Sequence, residues 1–187
     1  GLNADINIRT HDISTLGLWG PTAKDALGHF VDPSEISIEN FPFVGTKNLT
    51  LNLSGGKKVD VWAARISYVG ESGWELYLNN DAEEGLAVYD SLLEVGVVPV
   101  GIETYANSRR LEKSFRLQGA DLETEYNACE SAVERPKVKE ADFHGKEAHL
   151  AHREEEACAI LCTMTLDNLD ICGNGLRYPV GISPIID

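Results

Sequence analysis

Ten residues, Tyr68 to Tyr77 (YVGESGWELY), constrain the fold of this chain more than any other stretch. Two period-two runs meet at a loop bounded by Gly70 and Gly73, the pattern of a β-hairpin. In the first run, Val59 to Val69, Trp62, Ala64, Ile66 and Tyr68 share one face, with Arg65 and Ser67 opposite. In the second, Trp74, Leu76 and Leu78 alternate with Glu75 and Tyr77. The turn between them lifts one acidic side chain, Glu71, on a two-stranded support. A carboxylate held in this way accepts two parallel hydrogen bonds from adjacent N–H donors, such as the edge of a pterin or a guanine. A solvated turn residue is the plain alternative, and the hairpin pattern leaves both open.

The elements around the hairpin suggest a mixed sheet. Thr15 to Trp19 reads as a strand, closed by Gly20. Pro21 then suits the first turn of a helix, and Ala23, Ala26, Leu27 and Phe30 follow at helical spacing. Val44 to Leu53 is weakly strand-like, with Gly55-Gly56 as a turn. Asp81 and Glu84 form a capping box for a helix whose buried stripe is Leu86, Tyr89 and Leu92/Leu93, ended by Gly96. Val97 to Ile102 reads as an apolar strand and Glu103 to Phe115 as a helix. That order predicts an α+β fold, a ferredoxin-like split βαβ sheet with helices on one face. A loop-rich stretch, a short helix within Asp142 to Glu156, and a strand over Ala157 to Leu166 follow. Arg177 to Ile186 is its expected partner. Two strands do not stand alone in water, so they either pack on the main domain or begin a small C-terminal β domain. The expected divisions are 1–118, a connection over 119–156, and 157–187.

A formal net charge of −14 over 187 residues argues against a nucleic-acid partner, which needs clustered cations, and against an anionic membrane surface. No apolar run reaches the roughly 18–20 residues of a membrane span, and no secretory signal is visible. The four cysteines, Cys129, Cys158, Cys162 and Cys172, form no C-x-x-C pair. They read as reduced thiols, with Cys158 and Cys162 facing a core.

Arg109, Arg110, Lys113 and Arg116 make the densest basic cluster of an acidic chain. On a helix Arg109 and Lys113 share a face. A salt-bridged surface and a mouth for an anionic ligand tail are the competing readings, and Arg135, Lys137 and Lys139 would extend such a mouth. His149 and His152 are spaced to share a metal, but their surroundings are those of an exposed charged helix, and no metal site is expected. No Ser-His-Asp pairing, Walker loop or G-x-G-x-x-G stretch points to other chemistry. Trp19, Trp62 and Trp74 are expected in the core.

Several ordered stretches resemble the glycine-cleavage T-protein (aminomethyltransferase) family. They are LGLWGPTAKDAL at Leu16–Leu27, RISYVGESGWELY at Arg65–Tyr77, and GVVPVGIETYANSRRLEKSFR at Gly96–Arg116. NACESAVERPKVKEADFHGKEA at Asn127–Ala148 and ILCTMTLDN at Ile160–Asn168 complete them. GWELY and RLEK favour the branch fused to sarcosine and dimethylglycine dehydrogenases.

The resemblance implies tetrahydrofolate as cofactor and transfer of a one-carbon unit from a methylated amine donor onto its nitrogens. It places Glu71 on the pterin, with Tyr68 and Trp74 lining a channel, and offers Arg109, Arg110 or Arg116 for the folate carboxylates. Glu130 matches a family Glu, with Ala128 and Ala132 where relatives carry proline and glycine. The family Arg before R-L-E aligns with Ala106. The Asp that helps activate the folate nitrogen lies upstream of this segment, so no catalytic residue is assigned and the segment is expected to be incomplete for turnover. An upstream domain of the same longer chain, with FAD as its cofactor in the dehydrogenase branch, or a partner subunit would supply the rest. The reading of the cysteines as reduced thiols points to a cytoplasmic protein, or one of the mitochondrial matrix in a eukaryote. A non-catalytic folate-binding or assembly module, and an O- or S-demethylase of the same fold, are the alternatives.

Overall fold

The structure, a computed structural model, describes residues 3–8, 12–79, 81–134, 137–155, 159–165 and 167. The chain divides into two compact units, Gly1–Leu117 and Gln118–Asp187.

The first unit is built on a four-stranded antiparallel sheet of β1 (Ile13–Trp19), β2 (Thr46–Asn52), β3 (Lys58–Ala64) and β4 (Gly73–Asn79). The strand order is β1-β4-β3-β2. β2, β3 and β4 form a meander and β1 returns beside β4, so two strands separate β1 from the strand that follows it in sequence. The α+β class holds. Leu49, Leu51, Val59, Val61, Trp74, Leu76 and Leu78 point to one face and are buried; of the alternate positions Asn48, Thr50, Asp60 and Trp62 are exposed and Glu75 and Tyr77 half-buried. The buried face packs on α1 (Ala23–Leu27) and the loop after it, through Leu27, Phe30, Ile36 and Phe41. Val88 and Leu92 of α2 (Ala82–Glu94) belong to the same core.

Local chemistry sets the helix ends. Asp81 caps α2, its carboxylate accepting from the backbone N–H groups of Glu83 and Glu84. Gly96, at φ 90°, ends it, with the Val97 amide donating to the Leu92 carbonyl. The buried stripe of α2 is Val88, Ser91 and Leu92, whereas Leu86 and Tyr89 are exposed. Of the expected stripe only Leu92 is buried, with Leu93 half-buried.

Four further expectations are corrected. β3 stops at Ala64 rather than reaching Val69, because the Arg65 backbone pairs with Val44 and Gly45 instead of β4. The hairpin loop therefore runs from Arg65 to Ser72, and Tyr68 lies in it. Val97 to Ile102 forms no strand: none of the four strands takes it as a partner, Pro99 lacks an amide donor, and Val98, Val100 and Ile102 are exposed. Trp62 is on the open face of the sheet, 46% exposed, rather than in the core. Trp19 is only half-buried, its indole lying flat where a Gly17 side chain would stand.

The helix expected over Glu103 to Phe115 is a π-helical turn, Thr104–Arg109, running into α3 (Arg110–Glu112). Ser114, at φ 59°, stops it.

In the second unit, Asn127 opens a single turn closed by Ala132 at φ 54°. The Asn127 side chain accepts from the amides of Cys129 and Glu130, while the Glu130 carboxylate accepts from the Asn127 amide, a reciprocal cap. The helix expected within Asp142 to Glu156 is α4 (Lys146–Glu154), which starts only after Gly145 at φ 82°. Residues 159–165 carry no strand, and Cys162 is exposed rather than facing a core. Arg135, Cys158, Cys172 and the strand expected over Arg177 to Ile186 lie outside the described residues.

Candidate functional site

Glu71 sits in the Arg65–Ser72 loop, whose base is fixed from three directions. The Arg65 guanidinium donates to the carbonyls of Phe41 (2.6 Å), Ser37 (3.3 Å) and Ile36 (3.5 Å) and lies 5.2 Å from the centre of the Trp74 ring. Gly73 opens β4 because β1 runs tightly beside it: a Cβ there would come within 2.1 Å of the Leu18 carbonyl oxygen. Gly70, at φ 77°, lies under the stem of Lys113, which occupies the space of a Cβ. The loop is thus clamped at both ends while its tip stays accessible.

At the tip the Glu71 carboxylate faces the Arg109 guanidinium at 3.9 Å, both side chains about two-fifths exposed. Arg109 also holds Glu112 at 2.8 Å. A pair this long and this wet contributes little to stability, on the order of 0–1 kcal/mol. Its consequence is orientation, since it turns the carboxylate toward the helix and leaves it open to a ligand donor.

Beside the turn stands a run of aromatic rings. Trp19 stacks on Tyr105 at 4.9 Å, Tyr105 meets Tyr68 at 5.3 Å, and Tyr68 stacks on Phe115 at 5.8 Å. The Tyr68 hydroxyl donates to the Arg116 carbonyl at 2.6 Å, and the Trp19 indole N–H donates to the Ile66 carbonyl at 3.1 Å. Burial and then the Glu75 carboxylate push the Tyr105 phenol above its ordinary range. Tyr77 donates to Glu75, and that bond, with burial, raises its pKa to about 12.

The sequence-predicted site residues divide into two groups. Glu71, Arg109 and Tyr68 come together around the loop. Trp74 does not join them: it is fully buried under the sheet against Phe41, where it supports the loop from below. Arg110 is buried and donates to the carbonyls of Ala106 (2.6 Å) and Phe115 (3.2 Å), so it ties the helix end together. Arg116 donates to the carbonyl of Ser114. Sequence reasoning missed Tyr105, Trp19 and Phe115. The spacing of Tyr105 and Arg109, four apart on one helix, carried the signal.

In the second unit Glu130 is engaged in the Asn127 cap. Burial and its contact with Glu134 raise the Cys129 thiol above its ordinary range, while Arg153 holds Glu134 at 3.0 Å. Among the described residues, no three His, Cys, Asp or Glu side chains converge as metal ligands.

Fold and site together define an α+β protein that presents an accessible carboxylate beside a wall of stacked rings. The family model of the GCVT N-terminal domain matches residues 3–136. Mitochondrial dimethylglycine dehydrogenase of Homo sapiens is 34% identical over 182 residues, covering 93% of this chain and 20% of that protein. The aminomethyltransferase of Herpetosiphon aurantiacus is 29% identical over 184 residues, covering 96% of this chain and 46% of its own length. That of Listeria welshimeri is 33% identical over 141 residues, covering 74% and 36%. The chain belongs to the GCVT aminomethyltransferase family. It spans about a fifth of the length of the dimethylglycine dehydrogenases and less than half that of the aminomethyltransferases it matches.

Proposed function

We propose that this chain supplies the pterin-anchoring turn of a tetrahydrofolate-dependent one-carbon transferase. The enzyme would be a longer one that demethylates amino acids such as sarcosine or dimethylglycine. The observation that carries the reading is Glu71, an accessible carboxylate on a clamped loop with Arg109 on one side and the stacked Tyr68–Phe115 pair nearby. Those residues fit a pterin: two acceptor oxygens for adjacent ring N–H donors, and flat apolar surface alongside.

When bound, tetrahydrofolate supplies the nitrogen that takes up the one-carbon unit. Glu71 fixes the ring edge and the clamped loop holds Glu71, so the contribution of this chain is orientation, which converts a collision into a positioned encounter. Arg109 is the cation placed to meet an anionic part of the ligand. The acid–base group and the methylated donor site belong to the remainder of the longer enzyme. Residues 1–118 are then the larger part of its folate-binding region, 119–156 a connection, and 157–187 the start of a C-terminal β domain.

Titration with folinic acid, followed by tryptophan fluorescence, tests the reading. Glu71→Ala loses about 1.5–3 kcal/mol of binding if a charge-assisted pair is removed. Equal affinity in the variant takes Glu71 out of the site. A non-catalytic folate-binding module is the second reading, and the commitment of Arg110 to backbone carbonyls favours it. Binding of folinic acid without one-carbon transfer by the full-length enzyme would select it.

A further inference from the structure

The rings beside the Glu71 turn carry polar hydrogens as well as flat faces, and all but one of these are spent inside the protein. The Trp19 indole N–H goes to the Ile66 carbonyl at 3.1 Å, and the Tyr68 hydroxyl to the Arg116 carbonyl at 2.6 Å. On the adjoining open face of the sheet, the Tyr77 hydroxyl goes to Glu75. The Tyr105 hydroxyl makes no hydrogen bond with any described residue. Its ring is nonetheless held in place, stacked on Trp19 at 4.9 Å and 28° and packed against Tyr68 at 5.3 Å. Burial, then the Glu75 carboxylate and Tyr68, keep its proton on. The result is a neutral donor of fixed position and no internal partner.

That donor stands close to the Glu71 carboxylate. Two contacts join the π-helical turn to the loop: Tyr105 meets Tyr68, and Arg109 meets Glu71 at 3.9 Å. About 6 Å of helix separates Tyr105 from Arg109, and Tyr68 and Glu71 are three residues apart in the loop. A flat bicyclic ring is large enough to reach from one contact to the other. Its two ends then meet opposite chemistry. Glu71 accepts from adjacent N–H groups, whereas Tyr105 asks for an oxygen acceptor. Arg109 is less suited to that second task, because its guanidinium is already shared between Glu112 at 2.8 Å and Glu71.

We infer that the Tyr105 hydroxyl donates to the ring carbonyl of the pterin whose N–H edge Glu71 accepts, so that Tyr105 selects an oxo-substituted ring over its amino-substituted counterpart. The inference rests on the folate reading and deepens it, from a ring with adjacent N–H donors to one that also carries an acceptor oxygen. A site built to donate to an oxygen discriminates against an analogue without one, since the donor is then left unpaired.

Calorimetric titration of the full 187-residue chain compares folic acid with aminopterin, which carries an amino group in place of the ring carbonyl. Tyr105→Phe keeps the ring and its stack and removes only the hydroxyl. Folic acid then binds about three- to tenfold more weakly, the scale of one neutral hydrogen bond, while aminopterin stays within about twofold of its parent affinity. An equal loss for both ligands means that Tyr105 only shapes the wall, and overturns the inference; so does unchanged folic acid affinity in the variant. Folic acid binding that falls in Glu71→Ala but not in Tyr105→Phe removes this inference and leaves the folate reading standing. No folic acid binding by the parent chain removes both.

Discussion

Arg65 is the residue on which the position of the Glu71 loop most depends, and Arg65→Ala measures how much. Its guanidinium donates to three carbonyls, of which only the Phe41 bond, at 2.6 Å, is short; those to Ser37 and Ile36 are 3.3 and 3.5 Å. A hydrogen bond from a charged group contributes about 1.5–3 kcal/mol, and the two long bonds together add about 1. The charge over the Trp74 ring adds about 0.5–2 kcal/mol. These terms share one side chain and overlap, so the expected loss is about 3–5 kcal/mol. That is about a fifth or more of the stability of an ordinary domain. Arg65→Lys keeps a charge but reaches one carbonyl with a point donor, and costs about 1–2.5 kcal/mol. Urea denaturation gives both numbers, as a lower midpoint at unchanged slope. Hydrogen exchange locates the damage: the amides of Val44 and Arg65, bonded across this junction, lose protection first. If both variants fall within about 0.5 kcal/mol of the parent, the loop is not held by this side chain and the reasoning fails.

Two further outcomes are expected. Ala132 occupies the left-handed region at φ 54°, where an L side chain costs about 1–2 kcal/mol, so Ala132→Gly stabilises the chain by about 0.5–1 kcal/mol after the added chain entropy of glycine; a lower thermal midpoint contradicts this. Tyr77 holds its proton more tightly folded, with a pKa of about 12, than unfolded, near 10.0. Its contribution to stability is therefore whole below pH 10 and is lost as the pH rises toward 12. Tyr77→Phe, which cannot titrate, gives a shallower alkaline limb in urea midpoints against pH, and an identical slope refutes the assignment.

The elements legible in the sequence were those whose local and distant requirements coincide. α1, with Pro21 before it and its apolar residues at helical spacing, is legible because periodicity is local, and the start of α2 because the Asp81 cap is; which face of α2 is buried is only partly so. β4 is legible because one face of it is core, and a single buried face enforces alternation. β3 is less so: the alternating pattern runs on to Val69, but Arg65 finds three carbonyls and the Gly45 strand-end outside the hairpin, and that non-local competition ends the strand early. The exposed Val97–Ile102 stretch shows the reverse error, since apolar residues predict burial only where a partner surface exists. In the site, a carboxylate on a glycine-bounded turn is readable from spacing. That Arg110 faces inward and Arg109 outward is not, because a π-helical turn shifts the phase between Thr104 and Arg109.

That wide turn makes chain length itself a constraint. An extra residue per turn rotates the preceding side chains by about 100° relative to those that follow. With Arg110 locked to the carbonyls of Ala106 and Phe115, a one-residue deletion here would leave Arg109 opposite Glu71 but swing Tyr105 out of register with Trp19 and Tyr68. Surface segments usually absorb such indels freely. In this one, dropping a single amino acid would unstack the aromatic wall while every functional side chain remained in the chain.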